Sequence, residues 1–509
     1  MNRLTEPAAR EGAITGALYQ FLATSSSFIA GSLFYIYLAK FYTPTDVGNV
    51  ALLLATVGIF NSIFSLGLSQ ASQHFISYYI GKGEYSRVRI FVFRTISYGI
   101  TSSFAAMLSL IFLSSFISKT FFHSLAFTST VQLLSVYLFA LIMFGIFSGI
   151  LLGMQRFKVS ALISIATSTL AYGLSIILLQ EFHTDAMIII GWTIGYVLGT
   201  ILLGSISIHL SIQHRPEHGH FSYREIMTYS TPILFSGIIG TSAAYIDRFV
   251  VAAFVNTGAL GIYNFVLLVS SSLSLFLIPL YNVLLPKLSE LFSLHDKKAI
   301  VTGIKLSCSL INLLYVPAAL GATAISGRII ILLSQSQYLS AVIPMDVFLI
   351  ISAMFITYGV LVQAVSSIRK TPILVLSAGT SLFFNIAFSV ILIPRFGLLG
   401  AAISNSTVTV TAYFVLRWYI RLNDYSISNF ATTLKVWIAS GTMAIAVFLL
   451  SKMIPENISS FLLLIAFGTG VYILLARLLK ALNEDDRRYM RELFGDRYAK
   501  LYAIVNRIF

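Results

Sequence analysis

An aspartate and an arginine, Asp247 and Arg248, stand side by side in a long apolar stretch of the sequence. A charged side chain at the centre of a membrane helix costs about 2.5 to 3.5 kcal/mol on insertion scales, so it usually faces a partner or a water-filled cavity. The Arg248 guanidinium can attract an anionic group, and the Asp247 carboxylate can orient that group or take part in ion coupling. Adjacent residues of a helix point about 100° apart, so the two need not pair with each other. A structural ion pair with neighbouring helices is the alternative interpretation.

Side-chain amides are the second group of residues that can do chemistry. An amide binds hydroxyl groups, such as those of a sugar, when it faces a cavity, and it forms hydrogen bonds between helices when it does not. Both interpretations apply to six amides within or near apolar stretches, which are Gln20, Asn61, Gln132, Asn264, Gln363 and Asn385. Four of them, Gln20, Asn264, Gln363 and Asn385, are the candidates for a binding site.

The sequence contains no motif for metal binding, redox chemistry or nucleotide binding. Cys308 is the single cysteine, which excludes an internal disulfide and a CxxC motif. The four histidines of the segment 209–228 lack the spacing of metal ligands, and a solvated linker is the better interpretation. No GxxxxGK[ST] motif occurs, which excludes ATP-driven export by this chain. We therefore expect no metal and no cofactor.

Composition defines the elements that must hold these residues. The mean hydropathy is +0.88, and only 10% of the residues are charged, whereas a soluble domain has about 25%. A bilayer core about 30 Å thick needs roughly 20 apolar residues per helix, and nearly the whole chain divides into stretches of that size. Because lipid cannot hydrogen-bond the backbone, helices are expected. The sequence thus predicts an all-α, polytopic membrane protein with about fourteen transmembrane helices.

The distribution of positive charge predicts the orientation in the membrane. The chain has 33 Lys and Arg residues and a formal net charge of +14. Apart from Arg248, which lies within a span, all of them fall on one side of the predicted membrane except five: Lys40, Lys119, Arg328, Arg395 and Lys452. This asymmetry is typical of positive-inside insertion. We therefore expect a multi-pass protein of the cell membrane with both termini in the cytoplasm, and no nucleic-acid partner.

An internal repeat appears at an offset of 213 residues. The segment Ala39 to Gly48 (AKFYTPTDVG) aligns with Ala252 to Gly261 (AAFVNTGALG), and both follow a predicted span. Six spans separate them, so the two halves insert in the same direction. The predicted organisation is an N-terminal lobe of helices 1–6 at 1–212, a cytoplasmic linker at 213–228, a C-terminal lobe of helices 7–12 at 229–420, helices 13–14 at 421–480, and a basic amphipathic cytoplasmic tail at 481–509.

Three strings carry a resemblance to a known family. They are LGLSQASQHFISYYIGKGEYSRVR from Leu66 to Arg89, YIDRFVVAAFVNTGALGIYN from Tyr245 to Asn264, and NIAFSVILIPRFGLLGAAIS from Asn385 to Ser404. Together they resemble the polysaccharide flippases of the multidrug, oligosaccharidyl-lipid and polysaccharide exporter superfamily. The resemblance covers about residues 12–480.

The resemblance implies a fold and an activity. The implied fold is two six-helix lobes around a central cavity that opens alternately to each side. The implied substrate is a lipid-linked saccharide, which would be moved from the cytoplasmic to the outer leaflet, with a proton or sodium ion as a possible coupling ion. Membrane lipids are the other expected partners, and a monomer is expected. Tyr245, Asp247, Arg248, Asn264 and Asn385 lie in the family-like strings and are therefore candidates for substrate binding or coupling, together with Gln20 and Gln363.

Two other functions compete with this one. An ion-coupled multidrug antiporter of the same superfamily is the nearest alternative, but such antiporters usually have twelve helices and an acidic cavity in one lobe. A polytopic glycosyltransferase needs acidic residues in large outward loops, whereas the first outward loop here offers only Asp46. We therefore do not expect an enzyme.

Prolines and glycines within spans predict mechanics and packing. Pro232, Pro279 and Pro317 can interrupt the helical hydrogen-bond ladder, so they are hinge candidates, with static kinks as the alternative. Glycines spaced by four are expected to permit close helix packing; they are Gly145, Gly149 and Gly153 in one span, and Gly191, Gly195 and Gly199 in another.

Overall fold

The structure is a computed structural model that describes residues 13–213, 223–293, 297–368, 370–422, 425 and 430–481. Throughout these ranges the chain forms α-helices and short 3-10 segments, and it contains no strand. Helices are the expected result, because a span in lipid must satisfy its own backbone hydrogen bonds. The predicted all-α class is confirmed.

Seventeen α-helices follow one another along the described residues. In chain order they are α1 (Ala13–Phe41), α2 (Pro44–Phe64), α3 (Leu68–Lys82), α4 (Tyr85–Phe121), α5 (Thr128–Gly153), α6 (Phe157–Phe182), α7 (Asp185–Ile212), α8 (Tyr223–Phe254), α9 (Thr257–Ser274), α10 (Ile278–Ser293), α11 (Lys297–Ala324), α12 (Ser326–Leu333), α13 (Val342–Phe355), α14 (Tyr358–Ser367), α15 (Thr371–Leu422), α16 (Phe430–Ser451) and α17 (Ile458–Leu478).

Thirteen of the described helical segments are long and apolar enough to cross a membrane. One of them, Pro372–Leu422, has 51 residues, which corresponds to about 76 Å of helix and more than twice the thickness of a bilayer core. It bends at Gly397, whose φ of 56° and ψ of −127° are not helical. This segment therefore supplies two crossings, and the total agrees with the predicted fourteen.

Some crossings are interrupted where hydropathy alone shows a continuous run. Helix α2 ends at Phe64, and α3 begins after Leu66 and Gly67, whose φ angles are 49° and 65°. Only glycine adopts such angles readily. A 3-10 segment at Leu275–Leu277 separates α9 from α10.

The helix ends repeat at the offset of 213 residues that the sequence indicates. Adding 213 to the last residue of α1 gives the last residue of α8, and adding it to the first residue of α2 gives the first residue of α9. The starts of α4, α5 and α6 map to within one residue of the starts of α11, α13 and α15. The start of α7 maps to the residue that follows the bend at Gly397. The repeat therefore extends over six helices and is not confined to one loop.

The chain separates into two compact units. The first comprises Met1–Leu38 and Thr45–Gly261, and the second comprises Ala39–Pro44 and Ile262–Phe509. The lobe boundaries at 1–212 and 229–420 stay a prediction. Part of the predicted linker is helical, because α8 already begins at Tyr223. Residues 214–222 and the predicted tail from 482 onward lie outside the described residues.

The glycine ladders pack helices closely in the first unit. A methyl group added at Gly191 would lie 2.5 Å from the Ser175 nitrogen on α6, and one added at Gly195 would lie 2.6 Å from the Ala171 Cβ. Gly149 likewise faces the backbone of Ser69 on α3. These distances are far below van der Waals contact, so the predicted packing role is confirmed at these positions. The prediction is wrong at Gly145, where an added methyl group meets no atom within 4 Å.

The predicted hinge prolines occupy different positions in their helices. Pro317 lies inside α11, where it removes one backbone hydrogen bond. Pro279 is the second residue of α10, directly after a 3-10 segment, where no intrahelical donor is needed. Pro232 lies within α8. A fourth proline, Pro394, stands inside α15 three residues before its bend. The hinge function of the three candidates stays a prediction.

Candidate functional site

The Arg248 guanidinium lies over an aromatic ring of its own helix. Its Cζ atom is 4.5 Å from the centroid of the Tyr245 ring, and residues three apart on a helix are neighbours. The Nε atom is buried and has no hydrogen-bond partner among the described residues. A buried charged donor without an acceptor is costly. This nitrogen is therefore suited to an anionic oxygen or to water.

Asp247 points in a different direction from Arg248. It is fully buried, and its carboxylate accepts the backbone N–H of Arg248 at 2.9 Å. The divergence follows from the 100° step between neighbouring residues that helix geometry gives. Asp247 is thus packed within the first unit, whereas the side chain of Arg248 is half-buried.

Tyr245 belongs to a group of four tyrosines in the first unit, which we call the tyrosine cluster. It consists of Tyr137, Tyr172, Tyr196 and Tyr245. The rings of Tyr137 and Tyr196 meet edge to face, with their centroids 5.2 Å apart, and their side chains share a hydrogen bond. Tyr245 lies near both Tyr137 and Tyr172. The indole of Trp192 contacts Tyr137 at 5.6 Å and Tyr172 at 6.4 Å. The cluster combines ring faces with hydroxyl groups, which is the chemistry that sugars require from a binding surface.

Four helices contribute to the tyrosine cluster, and a fifth makes room for it. The tyrosines lie on α5, α6, α7 and α8. On α2, a methyl group added at Gly58 would lie 2.6 Å from the Cε2 atom of Tyr245. Ordinary contact between carbon atoms needs about 3.5 to 4.0 Å. Gly58 therefore leaves the space in which the ring under Arg248 is placed.

Two of the four candidate amides make hydrogen bonds that explain them structurally. Gln20 on α1 donates to the backbone carbonyl of Phe157 at 3.4 Å. Asn385 on α15 is fully buried and accepts from the Ser389 hydroxyl at 3.0 Å. Both contacts agree with the helix-packing interpretation of these amides.

The other two candidate amides belong to the second unit. Asn264 is buried on α9, with 6% of its surface exposed, and Gln363 is half-buried on α14. Among the predicted site residues, the structure thus brings Tyr245, Asp247 and Arg248 together on one helix. It places the four amides on four separate helices, α1, α9, α14 and α15. A binding role for any of these residues stays a prediction.

Two further ionisable residues within spans were not predicted. Arg417 on α15 donates through Nη1 to the Tyr413 hydroxyl, and its Cζ lies 5.5 Å from that ring. Asp346 on α13 has a buried carboxylate oxygen without a hydrogen-bond partner among the described residues, while the carboxylate also hydrogen-bonds Ser326. Both residues can be found from the sequence by listing every charge within a span.

The comparisons with known proteins agree with this architecture. Residues 13–292, more than half of the chain, match the family described as polysaccharide biosynthesis protein. The chain is 25% identical over 436 residues to an uncharacterized membrane protein of Methanocaldococcus jannaschii, covering 81% of this chain and 84% of that protein.

Solved structures with the same fold are transporters. The lipid II flippase MurJ in an inward closed conformation is similar with a TM-score of 0.74 at 18% identity, covering 91% of this chain and 98% of that one. An inward-facing multidrug resistance MATE family transporter of the MOP superfamily is similar with a TM-score of 0.67 at 11% identity, covering 78% and 95%. The spans define a multi-pass membrane protein, and its fold is similar to that of this flippase and this transporter. Among such membrane proteins, the chain belongs to the polysaccharide biosynthesis protein family, as the resemblance in its sequence indicates.

Proposed function

We propose that this protein is a flippase that moves a lipid-linked oligosaccharide or polysaccharide precursor from the cytoplasmic to the outer leaflet by alternating access. The observation that carries the proposal is the position of the half-buried Arg248 guanidinium, which lies over Tyr245, one of the rings of the tyrosine cluster. Lipid-linked sugars join a phosphate group to a saccharide. A cation with an available N–H suits the phosphate, and aromatic rings with hydroxyl groups suit the sugar.

The membership in a polysaccharide biosynthesis family supports a saccharide cargo. The lipid II flippase MurJ has a similar fold, which supports movement of a lipid-linked molecule. We propose transport without covalent chemistry, in the cell membrane, with both termini in the cytoplasm, because the excess of Lys and Arg lies on the side of the termini.

Energy for transport would come from an ion gradient, the membrane potential or consumption of the cargo on the far side. A proton or sodium ion is the proposed coupling ion, and Asp247 is the proposed carboxylate for it. We propose that a monomer carries out transport.

The proposal is tested in proteoliposomes that contain fluorescent lipid-linked oligosaccharide. We expect protein-dependent movement between leaflets, and we expect Arg248→Ala to slow it about 10-fold to 100-fold, since a hydrogen bond to a charged group contributes about 1.5 to 3 kcal/mol. The matched control is Arg395→Ala, which removes an exposed arginine on the predicted outer side and should leave the rate unchanged.

One result would contradict the proposed function, and a second would contradict only the proposed site. Absence of movement across a panel of polyprenyl-linked sugars, together with proton-driven or sodium-driven uptake of organic cations, would assign the chain to the multidrug antiporters. Movement that survives both Arg248→Ala and Asp247→Asn would keep the flippase function and return these two residues to structural roles.

A further inference from the structure

A small cavity in the second unit is lined by two cationic side chains, although Lys and Arg are rare on the predicted outer side of the membrane. Its volume is about 240 Å³. Cations line it at Lys40 and Arg328, and Glu456 and Asn457 are their polar neighbours. The remaining wall is apolar, formed by Ile331, Leu332 and Phe461. We call this cavity the outer pocket, because its lining residues lie at the ends of spans that the charge distribution places on the outer side.

Arg328 fixes one wall of the outer pocket. Its Nη1 atom donates to the Pro455 carbonyl at 2.9 Å, and its Nη2 atom donates to the carbonyls of Ser451 and Ile454. These carbonyls end α16 and begin the loop to α17. Carbonyl acceptors satisfy the N–H groups but do not neutralise the charge, so the guanidinium still contributes a positive field to the cavity.

Hydrogen bonds also hold the other polar walls in place. Gln335 donates through Nε2 to the Lys40 backbone carbonyl at 3.0 Å. Asn457 caps α17, because its side chain accepts the backbone N–H of Ser460 at 2.8 Å. The outer pocket is therefore a built feature and not a gap between loose chain ends.

The charges of the outer pocket are available to a ligand. Among the described residues, neither the Lys40 ammonium nor the Glu456 carboxylate has a side-chain partner, and both residues are exposed. Only five Lys or Arg residues fall on the predicted outer side, and two of them line this one cavity. Such a concentration runs against the general depletion of cations on that side.

Apolar residues frame the charged cavity. Phe41, Met453 and Ile458 lie at the ends of α1, α16 and α17 with 62%, 82% and 63% of their surface exposed. Exposed apolar side chains beside charged ones mark the level at which a membrane helix leaves the hydrocarbon core. The outer pocket thus lies where lipid headgroups lie.

We propose that the outer pocket binds the headgroup of a zwitterionic aminophospholipid. The phosphate lies between Lys40 and Arg328, the ammonium group lies at Glu456, and the apolar wall receives the start of the acyl chains. Both signs of charge line the cavity, so a headgroup with both signs satisfies them all, whereas an anionic phospholipid leaves Glu456 opposed. Pockets for drug-sized ligands measure about 300 to 1,000 Å³, so this smaller cavity suits one headgroup and not a lipid-linked oligosaccharide. The site is separate from the proposed transport site.

The test measures which lipids the full-length protein retains after purification from vesicles of equal parts phosphatidylethanolamine, phosphatidylglycerol and phosphatidylcholine, by native mass spectrometry. We expect preferential retention of phosphatidylethanolamine. Lys40→Gln should reduce that retention about fivefold, which corresponds to about 1 kcal/mol for one basic residue at a lipid surface. The matched control, Lys119→Gln, removes an exposed outer cation elsewhere and should retain the wild-type pattern.

The variant Glu456→Gln tests whether the bound headgroup places an ammonium group at Glu456. If the ammonium group lies at Glu456, this variant loses phosphatidylethanolamine and gains phosphatidylglycerol. Preferential retention of phosphatidylglycerol by the unaltered protein, with phosphatidylethanolamine unaffected by Glu456→Gln, would overturn the proposal in favour of an anionic lipid. Equal behaviour of Lys40→Gln and Lys119→Gln would overturn it altogether. These readouts do not depend on transport, so a failure here is distinct from a failure of the proposed flippase function.

Discussion

Substitution of Gly58 by alanine tests whether the ring under Arg248 matters for transport. The added methyl group would lie 2.6 Å from the Tyr245 Cε2 atom, so the ring must retreat by about 1 Å to reach ordinary contact. Only the outer part of one side chain has to move, so the fold should survive. The ring would no longer support the Arg248 guanidinium at its present distance of 4.5 Å.

The expected loss follows from the contact that is disturbed. A cation over an aromatic ring contributes about 0.5 to 2 kcal/mol, depending on how far it is desolvated. If the ring positions Arg248 for the cargo, Gly58→Ala should slow movement of lipid-linked oligosaccharide about threefold to thirtyfold in proteoliposomes. Gly145→Ala is the matched control, because a methyl group there meets no atom within 4 Å.

A double variant separates this mechanism from general damage. Tyr245→Leu removes the ring and its contact with the cation. Adding Gly58→Ala to Tyr245→Leu should then have little further effect, since the clashing atom is gone, and the two effects should be strongly non-additive. Additive losses, or a Gly58→Ala rate equal to that of Gly145→Ala, would refute the claim that Gly58 acts through the Tyr245 ring.

Three further substitutions test the packing and the buried charges by thermal unfolding in detergent. Gly195→Ala should lower the free energy of unfolding by about 1 to 3 kcal/mol through overpacking, whereas Gly173→Ala, with open space around it, should be neutral or stabilising; equal melting temperatures would contradict the close packing. Arg328→Gln should destabilise by about 1.5 to 3 kcal/mol by releasing three backbone carbonyls, and unchanged protease resistance of the α16–α17 loop would argue against this. Asp346→Asn should raise the melting temperature, because an amide keeps a hydrogen bond to Ser326 and removes a partly buried charge; a lower value would show that the carboxylate is needed in its charged form.

The number of spans could be predicted because lipid imposes one strong rule, that each apolar stretch satisfies its own backbone. The breaks within a continuous apolar run could not be predicted. Hydropathy continues through Leu66, Gly67 and Leu68, and only the left-handed φ angles of the first two residues end the helix. The bend at Gly397 is different, because Pro394 and Arg395 mark a joint between two apolar stretches there.

The candidate site could be predicted only along one helix. Tyr245 and Arg248 stand three residues apart, so their contact follows from helix geometry. The partners of Tyr245 come from three other helices, and no sequence spacing relates Tyr137, Tyr172 and Tyr196 to one another. Arg417 was missed for a different reason, since a cation near the end of a span is easily counted with the cytoplasmic loops.

The repeat duplicates the backbone but not the chemistry. At the offset of 213 residues, Asp247 and Arg248 correspond to Phe34 and Tyr35 of α1. Phe34 is fully buried and packs against Tyr172 and Trp192. The same two positions of the repeat therefore hold aromatic residues in α1 and ionisable residues in α8.

The same holds for two other ionisable residues within spans. Arg417 corresponds to Gly204, and Asp346 corresponds to Leu133. A duplicated helix pattern needs only matching apolar faces and small residues at close contacts, which many side chains provide. An intramembrane charge is costly wherever it stands, so each one persists only where a particular partner or cargo compensates for it. We therefore expect the positions at which the two halves differ in charge to be better guides to the proposed transport site than the positions at which they agree.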